Sequence, residues 1–235
     1  MKTSVSIRPC GIFPGKGDSR LLRVGFDDLP GDDPAKVNHA MIRSGFRRER
    51  ENYVAERCAA CEACRPMRLS VRHFAPTGSQ KKILKINRDV AAVFDPDYDP
   101  DEHHALFYKH RTSRNLEANE SILSRDNFLQ LADNEYLPFS VMEARLGGRL
   151  IGASLFDRMP DAISGAHYYY DTDLPSRSLG IYLLLQLVRH AADRGAAHLY
   201  LGQTTGEPSR LSYKNAFGPV RQIMNRDRSW TAPEP

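Results

Sequence analysis

Three of the four cysteines fall in one C-x2-C-x2-C run, Cys58, Cys61 and Cys64, and the fourth, Cys10, lies near the start of the chain. Four soft donors, three clustered and one remote, are enough to complete an all-cysteine tetrahedral zinc site or to hold an iron-sulfur cluster. Disulfides do not persist in a reducing cytosol, and a two-residue spacing exposes each sulfur to its neighbours, so a metal centre on these four residues is the expectation. The run matches the first three ligands of a bacterial ferredoxin, with Pro66 partly reproducing its ending, but the fourth ligand is not local. Zinc and iron-sulfur therefore both stay open.

Size and charge bound the rest. The chain has 235 residues, 41% of them hydrophobic, enough for one large or two small domains with a packed core. No apolar run approaches the roughly 20 residues that span a bilayer, and the opening MKTSVSIRPCGIFPGKG has no apolar export core, so a soluble cytoplasmic protein is expected. A net charge of +4 does not by itself argue for nucleic acid, but its distribution does. Arg65, Arg68, Arg72, Lys81, Lys82, Lys85 and Arg88 follow one another with no acidic residue between them, and the stretch after them turns acidic, with Asp95, Asp97, Asp99, Asp101 and Glu102. Segregation of this kind suits a phosphate-binding face, the bland alternative being a solvated surface.

Local signals divide the chain into a Cys-rich module over 1–75, a basic helix and helical connection over 76–138, and a core over 139–235. In the first, limited helix is expected, with one element from Pro34 to Ser44 carrying Val37, Met41 and Ile42 and closed by Gly45. Ser79 is expected to cap a basic helix from about Gln80 to Val90, with Ile83 and Ile86 facing inward beside Leu84. Helices over Glu102–Arg114 and Arg125–Asp133 follow. SVMEARL and RLIGASLFDR alternate around a Gly-Gly turn and precede a third strand, AISGAHYYYD. Ser178 then opens a helix with Ile181, Leu184, Leu185 and Val188 as its apolar stripe and Gly195 at its end, before a strand at HLYLG and a short helix at SRLSYKNAFG.

A meander feeding a Gly-containing turn, a helix and a further strand resembles the GNAT acyltransferase core. That family's pyrophosphate loop reads (Q/R)-x-x-G-x-(G/A), and Arg177, Gly180 and Tyr182 occupy its positions here. A tyrosine at the last would crowd a CoA diphosphate, which points to a bulkier donor. The fold class expected is α+β, a GNAT-like C-terminal domain preceded by a small Cys-rich metal-binding module.

Further residues carry a resemblance to bacterial aminoacyl-tRNA:protein transferases, the aspartate/glutamate leucyltransferases and related arginyl-tRNA:protein transferases of the N-degron pathway. Cys10, Phe13, Pro14, Gly15 and Lys16 resemble the family's opening. MIRSGFRRERENYVAERCAACEACRPMRLSV resembles its central signature through Arg43, Gly45, Phe46, Arg47, Arg48, Tyr53, the three clustered cysteines, Pro66 and Arg68. SQKKILKINRD, LGGRLIGASLFD, YYYDTD, SLGIYLLLQL and LYLG follow in the family's order, and Tyr213 and Lys214 resemble its Tyr-Lys helix. The chain departs from the pattern after LYLG, where Gln203, Thr204 and Thr205 replace Tyr-Trp-Ile, and at LEANESILSRDN, which replaces a Gly-Met-rich segment.

The resemblance implies transfer of leucine, with arginine as the near alternative, from its tRNA to the α-amine of proteins beginning with Asp or Glu, marking them for degradation. Aminolysis of an already activated ester needs orientation, a proton acceptor and oxyanion stabilisation rather than a covalent nucleophile or a further cofactor. Lys81, Lys82, Lys85 and Arg88 are assigned to acceptor-stem phosphates, and Arg177 with the Gly180 turn to the terminal adenosine or its phosphate. Tyr213 and Lys214 would line the donor end, and Gln203 would polarise the carbonyl or position the amine. Arg47, Arg48 and Arg68 are the candidates to read the acceptor's carboxylate.

Other residues take a structural reading. Adjacent His103 and His104 point apart on a helix and are expected at the surface. Tyr168, Tyr169 and Tyr170 read as core and sheet face, Trp230 as a cover on the sheet, and Asp157 and Asp171 as turn caps. A CoA-dependent N-acetyltransferase and a non-catalytic RNA-binding or redox-sensing metalloprotein are the competing classes. Acetyl-CoA affinity would mark the first, and RNA binding without turnover the second.

Overall fold

The computed structural model describes the chain apart from residues 1–2, 30, 32, 60, 117–122, 133–136 and 232–235. Its contacts divide the chain into two compact units, Met1–His73 with Met159–Ser164 and Ala196–Pro235, and Phe74–Arg158 with Gly165–Gly195. The division is not contiguous: the segment 139–235, expected as one core, contributes to both units. Half of the LEANESILSRDN departure, residues 117–122, lies outside the described residues, as does the expected end of a helix at Asp133.

In the first unit, β1 (Thr3–Pro9), β2 (Asp18–Gly25), β3 (Arg47–Glu49) and β4 (Asn52–Glu56) make an antiparallel sheet in the order β1-β2-β4-β3. This sheet was not expected, because three-residue β3 is entirely charged and the pairing of β2 with β4 joins residues distant in sequence. Helix α1 (Pro34–Arg43) forms as the sequence indicates. Asp33 accepts from the Ala35 and Lys36 amides, Pro34 sits in the first turn, and Gly45 follows at φ +85°. A Cβ on Gly45 would lie 2.5 Å from Met224 Sδ, so both backbone conformation and space select glycine there.

A second set of strands places β5 (Cys64–Ser70) between β10 (His198–Thr205) and β11 (Arg221–Ile223), antiparallel to both. β10 also runs parallel to the first residues of β9 (Ala162–Tyr170). Pairing of β5 with β10 and β11 is what gathers the two ends of the sequence into one unit. Ile42, Met159, Ala162 and Tyr200 form a small core cluster with Trp230 packed against it, in keeping with the expected covering role of that tryptophan.

The second unit contains α2 (Gly78–Ile86), β6 (Val90–Phe94), α3 (Pro100–Ser113), α4 (Arg125–Ala132), β7 (Ser140–Leu146), β8 (Arg149–Met159), the remainder of β9, and α5 (Leu179–Asp193). Strand order is β6-β7-β8-β9, with β6 at the edge and β7 and β8 joined through Gly147 and Gly148. Leu106, Phe107, Phe128, Leu155 and Tyr169 lie at the heart of its core.

Three local expectations are corrected here. Thr77, not Ser79, caps α2: its hydroxyl accepts from the Gln80 amide, and the Gln80 side chain accepts from the Thr77 amide. The helix stops at Ile86, because Asn87 caps its end and Val90 begins β6; Ile86 is 51% exposed rather than inward-facing. His103 is fully buried, the reverse of the surface position expected, because it shares the inward face of α3 with Leu106, Phe107 and His110. Ser178 does occupy the cap position of α5, but in a left-handed conformation (φ 49°) with no side-chain cap bond. Among the described residues, no helix is long and apolar enough to cross a membrane.

Candidate active site

β10 is irregular where the first unit gathers its polar groups. Tyr200 pairs with Arg68 and Gln203 with Pro66, so β10 carries one residue more than β5 across that interval, a bulge that Gly202 accommodates at φ +67°. Lys214, in the short 3-10 segment Ser212–Val220, reaches under the bulge and donates to the carbonyls of Leu201 and Gln203, both at 2.6 Å. Burial, reinforced by the charge of Arg47, pulls its ammonium down to about 7. Tyr213 is exposed beside it, with the Lys214 Nζ 5.9 Å from its ring centroid. Gln203 is half-buried, its carbonyl held by Lys214.

The Gln-Thr-Thr departure is tied into the same region. Thr204 donates to Asn215 Oδ1 (2.9 Å), which also accepts from Arg221 (2.8 Å), while the Asn215 amide donates to the Thr205 carbonyl (2.9 Å). The Thr205 hydroxyl donates to the Glu207 carbonyl and meets Ser209 Oγ at 2.6 Å. The Thr204 hydroxyl is thus satisfied by the 3-10 segment and the Thr205 hydroxyl by the turn before it.

The three arginine candidates differ sharply. Arg47 is neutralised by Glu56 at 2.7 Å. Arg48 is buried in β3 and engaged there. Arg68 is half-buried and oriented by neutral groups: its Nε donates to Gln222 Oε1 (2.8 Å), Nη1 donates to the Tyr200 hydroxyl (3.1 Å), and the guanidinium stacks over Trp230 at 4.5 Å. Its charge also helps hold His198 neutral, with burial the larger cause of that histidine's fall to about 4.

All four cysteines are free and partly buried. Burial first, then Glu56, then Cys10, Cys61 and Cys58 push the Cys64 thiol up to about 12. Cys10 Sγ accepts from the Phe13 amide at 3.3 Å, and Lys16 in the same loop pairs with Glu207 at 2.6 Å. Four thiols are the donor chemistry a thiophilic metal requires. Among the described residues, however, no three His, Cys, Asp or Glu side chains are arranged to hold an ion, so a metal-binding module is not displayed.

In the second unit, Lys81, Lys82, Lys85 and Arg88 are exposed, and none has a carboxylate partner among the described residues. Arg177 is different. It pairs with Asp89 through both nitrogens, at 2.8 and 2.9 Å, and a further bond reaches the Ile86 carbonyl. Gly180 lies in the first turn of α5, where a Cβ would meet the Tyr170 ring at 3.1 Å. Tyr182 is buried and donates to the Val90 carbonyl at 3.1 Å.

Sequence reasoning missed several polar partners. His103 Nε2 meets Glu143 at 2.8 Å and Nδ1 meets the Tyr169 hydroxyl at 2.6 Å; Arg145 bonds both Glu143 and Glu102. Asp171 accepts from Lys109 (2.6 Å) and Arg149 (2.8 Å). Glu56 was also missed, although it follows Arg47 across a tight hairpin, where diagonal neighbours are within reach.

Two sequence families match, described as arginine-tRNA-protein transferase, N terminus, over residues 8–82, and arginine-tRNA-protein transferase, C terminus, over residues 102–224. An aspartate/glutamate leucyltransferase of Rhodospirillum rubrum is 29% identical over 226 residues, covering 95% of this chain and 89% of that one. One of Gluconobacter oxydans is 30% identical over 224 residues, covering 95% and 91%. Among solved structures, FemX is similar in fold (TM-score 0.52, 10% identity, 92% of this chain and 85% of that one), as is L-PGS from Bacillus licheniformis (TM-score 0.52, 13% identity, 69% and 59%). With both ends of the sequence matched and near-complete relatives at up to 30% identity, the chain belongs to the arginine-tRNA-protein transferase family.

Proposed function

We propose that this chain transfers leucine from leucyl-tRNA to the α-amine of proteins that begin with Asp or Glu, tagging them for N-degron proteolysis in the cytoplasm. The observation that carries the reading is that relatives named aspartate/glutamate leucyltransferase align with 95% of the chain. In the reaction the free amine attacks the ester carbonyl, the C–N bond forms, the C–O bond breaks, and the tRNA hydroxyl leaves with a proton. We read the region from β7 to β10 as an acyltransferase core of the GNAT type, on the order of its strands and helix.

The residues divide by what they are free to do. Gln203 and Tyr213 are accessible beside the β10 bulge and would meet the aminoacyl group. Lys214, buried beneath them, is a positioning residue that holds the two carbonyls and so shapes the strand. Arg68 is the best reader of the acceptor carboxylate: it is oriented in advance and, among the described residues, its charge is not spent on an acid. The exposed cations of α2 suit tRNA phosphates. Arg177, already paired with Asp89, would have to exchange that partner to contact a phosphate. A metal on Cys10, Cys58, Cys61 and Cys64 would supply a structural tie between the 10–17 loop and the start of β5.

The test is to incubate the protein with tRNA charged with labelled leucine or labelled arginine, together with test proteins beginning with Asp, Glu or Ala. Label from leucyl-tRNA on Asp and Glu starts alone is the expected result. Label from arginyl-tRNA instead, the donor in the matching family's description, would replace leucine as donor. No transfer from either by folded protein would overturn the reading.

A further inference from the structure

Among the described residues, strand β6 has no strand partner on one edge of its sheet. The Asp95 amide donates to the Val141 carbonyl, and Val93 and Ala91 lie opposite Glu143 and Arg145, so alternation of an antiparallel ladder turns those residues toward β7. Val90, Ala92 and Phe94 therefore aim their main-chain groups outward. The same three residues line a cleft of about 320 Å³ with Tyr182, Gln186, Arg189, His190 and Asp193 of α5. The Val90 carbonyl is taken by the Tyr182 hydroxyl. Next along the edge, the Ala92 amide and carbonyl point away from β7, and Ala92 is one of the residues that line the cleft.

The cleft is furnished for a small planar polar ligand. Its volume lies at the lower end of the range for ligand sites, about 300–1,000 Å³, room for a single nucleotide rather than a folded segment. One end is formed by Phe94 and His190 stacked at 3.9 Å, and the His190 Nε2 is buried without a partner among the described residues. Gln186 can both donate and accept, Arg189 only donates and Asp193 only accepts, a mixed set that suits the edge of a base. An edge strand also suits an extended peptide. Charge decides between them. α2 packs against α5, and its exposed Lys81, Lys82 and Lys85, with Arg88 between α2 and β6, offer sites for phosphates on the same unit.

We propose that the cleft between the free edge of β6 and α5 holds an unpaired nucleotide of the RNA substrate, its base paired to the Ala92 main chain. This rests on the reading of the chain as a tRNA-dependent transferase.

The experiment compares intact tRNA, tRNA trimmed of its unpaired 3′ nucleotides, and an Asp-initiated peptide as ligands, measuring affinity and hydrogen exchange of the Ala92 amide. Intact tRNA should slow exchange at Ala92, and trimmed tRNA and peptide should not. Gln186→Leu and Arg189→Ala, with unchanged unfolding midpoints, should weaken intact tRNA about tenfold and leave trimmed tRNA unaffected. Exchange at Ala92 unchanged by intact tRNA, in the unaltered chain, overturns the proposal without recourse to variants, as does slowing by the peptide alone. If the unaltered chain binds no tRNA, the donor reading itself fails; if it binds tRNA and the variants lose nothing, only the cleft fails.

Discussion

The ammonium of Lys214 lies 2.6 Å from the main-chain carbonyl of Gln203, on the far side of a bulge opened by Gly202. A buried lysine bonded to backbone carbonyls fixes a strand distortion that β pairing alone would not hold. Replacing it with Met keeps the bulk and leaves both carbonyls without a donor, at a cost of about 1–3 kcal/mol. Lys214→Met should therefore lower the unfolding midpoint and reduce kcat more than it raises KM. Its folded pKa of about 7 is below the ordinary 10.5, so the unfolded chain holds more protons between these values and stability rises with pH across that window. Equilibrium denaturation at pH 7 and pH 10 should show this rise in the parent chain and less of it in the variant.

Among the described residues, Arg68 bonds the side chains of Gln222 and Tyr200 and lies over the rings of Trp230 and Tyr200, all uncharged partners. Arg68→Lys keeps the charge and discards the planar fork, so KM for an Asp-initiated acceptor should rise about tenfold with a smaller change in kcat. An unaltered KM in a folded variant would make Arg68 a purely structural stack.

His110 is buried against Tyr170 with neither ring nitrogen partnered among the described residues. Burial, then Arg114 and Arg111, lower its pKa to about 4. Because the folded value lies below 6.5, stability present above pH 6.5 is lost as pH falls toward 4, by about 2 kcal/mol at pH 5. The lowered pKa of buried His103 adds a loss of the same sign. His110→Phe should flatten the difference between urea denaturation at pH 7.5 and at pH 5; an undiminished difference would place the acid sensitivity elsewhere.

The α2 cations are exposed and unpaired among the described residues, so Lys81→Ala, Lys82→Ala and Lys85→Ala together should leave folding intact. Each lost phosphate contact should reduce the log–log salt slope of tRNA binding by about 0.7–0.9. A slope identical to that of the parent would make the stripe a merely solvated face.

Cys61→Ser tests the thiol cluster. If the four sulfurs hold an ion, the variant should lose bound metal and unfold at lower temperature, because binding energy at such a site is folding energy. Equal metal content and equal unfolding in parent and variant would remove the site.

The β7–β8 hairpin, β9, α5 and β10 were legible because period-two runs, a Gly-Gly turn and an apolar stripe lie within each short segment. α1 carried its cap and first-turn proline side by side and its terminal glycine just past the last turn. Even the Thr77–Gln80 capping box was present as a T-x-x-Q signal, though Ser79 was the residue read as cap. The strands of the N-terminal sheet were not legible, since three-residue β3 has too little pattern to outweigh its charges.

Local backbone form and the family signature were therefore set within the sequence, where neighbours a few residues apart determine caps, turns and buried faces. The commitment of charged side chains was decided only by tertiary structure. Arg177 meets Asp89 and Arg68 meets Gln222 across long stretches of chain, and His103 becomes buried only because β7 and β9 bring Glu143 and Tyr169 to it. A side chain's partner depends on which strands lie side by side, and that pairing is a property of the folded chain as a whole rather than of any segment of it.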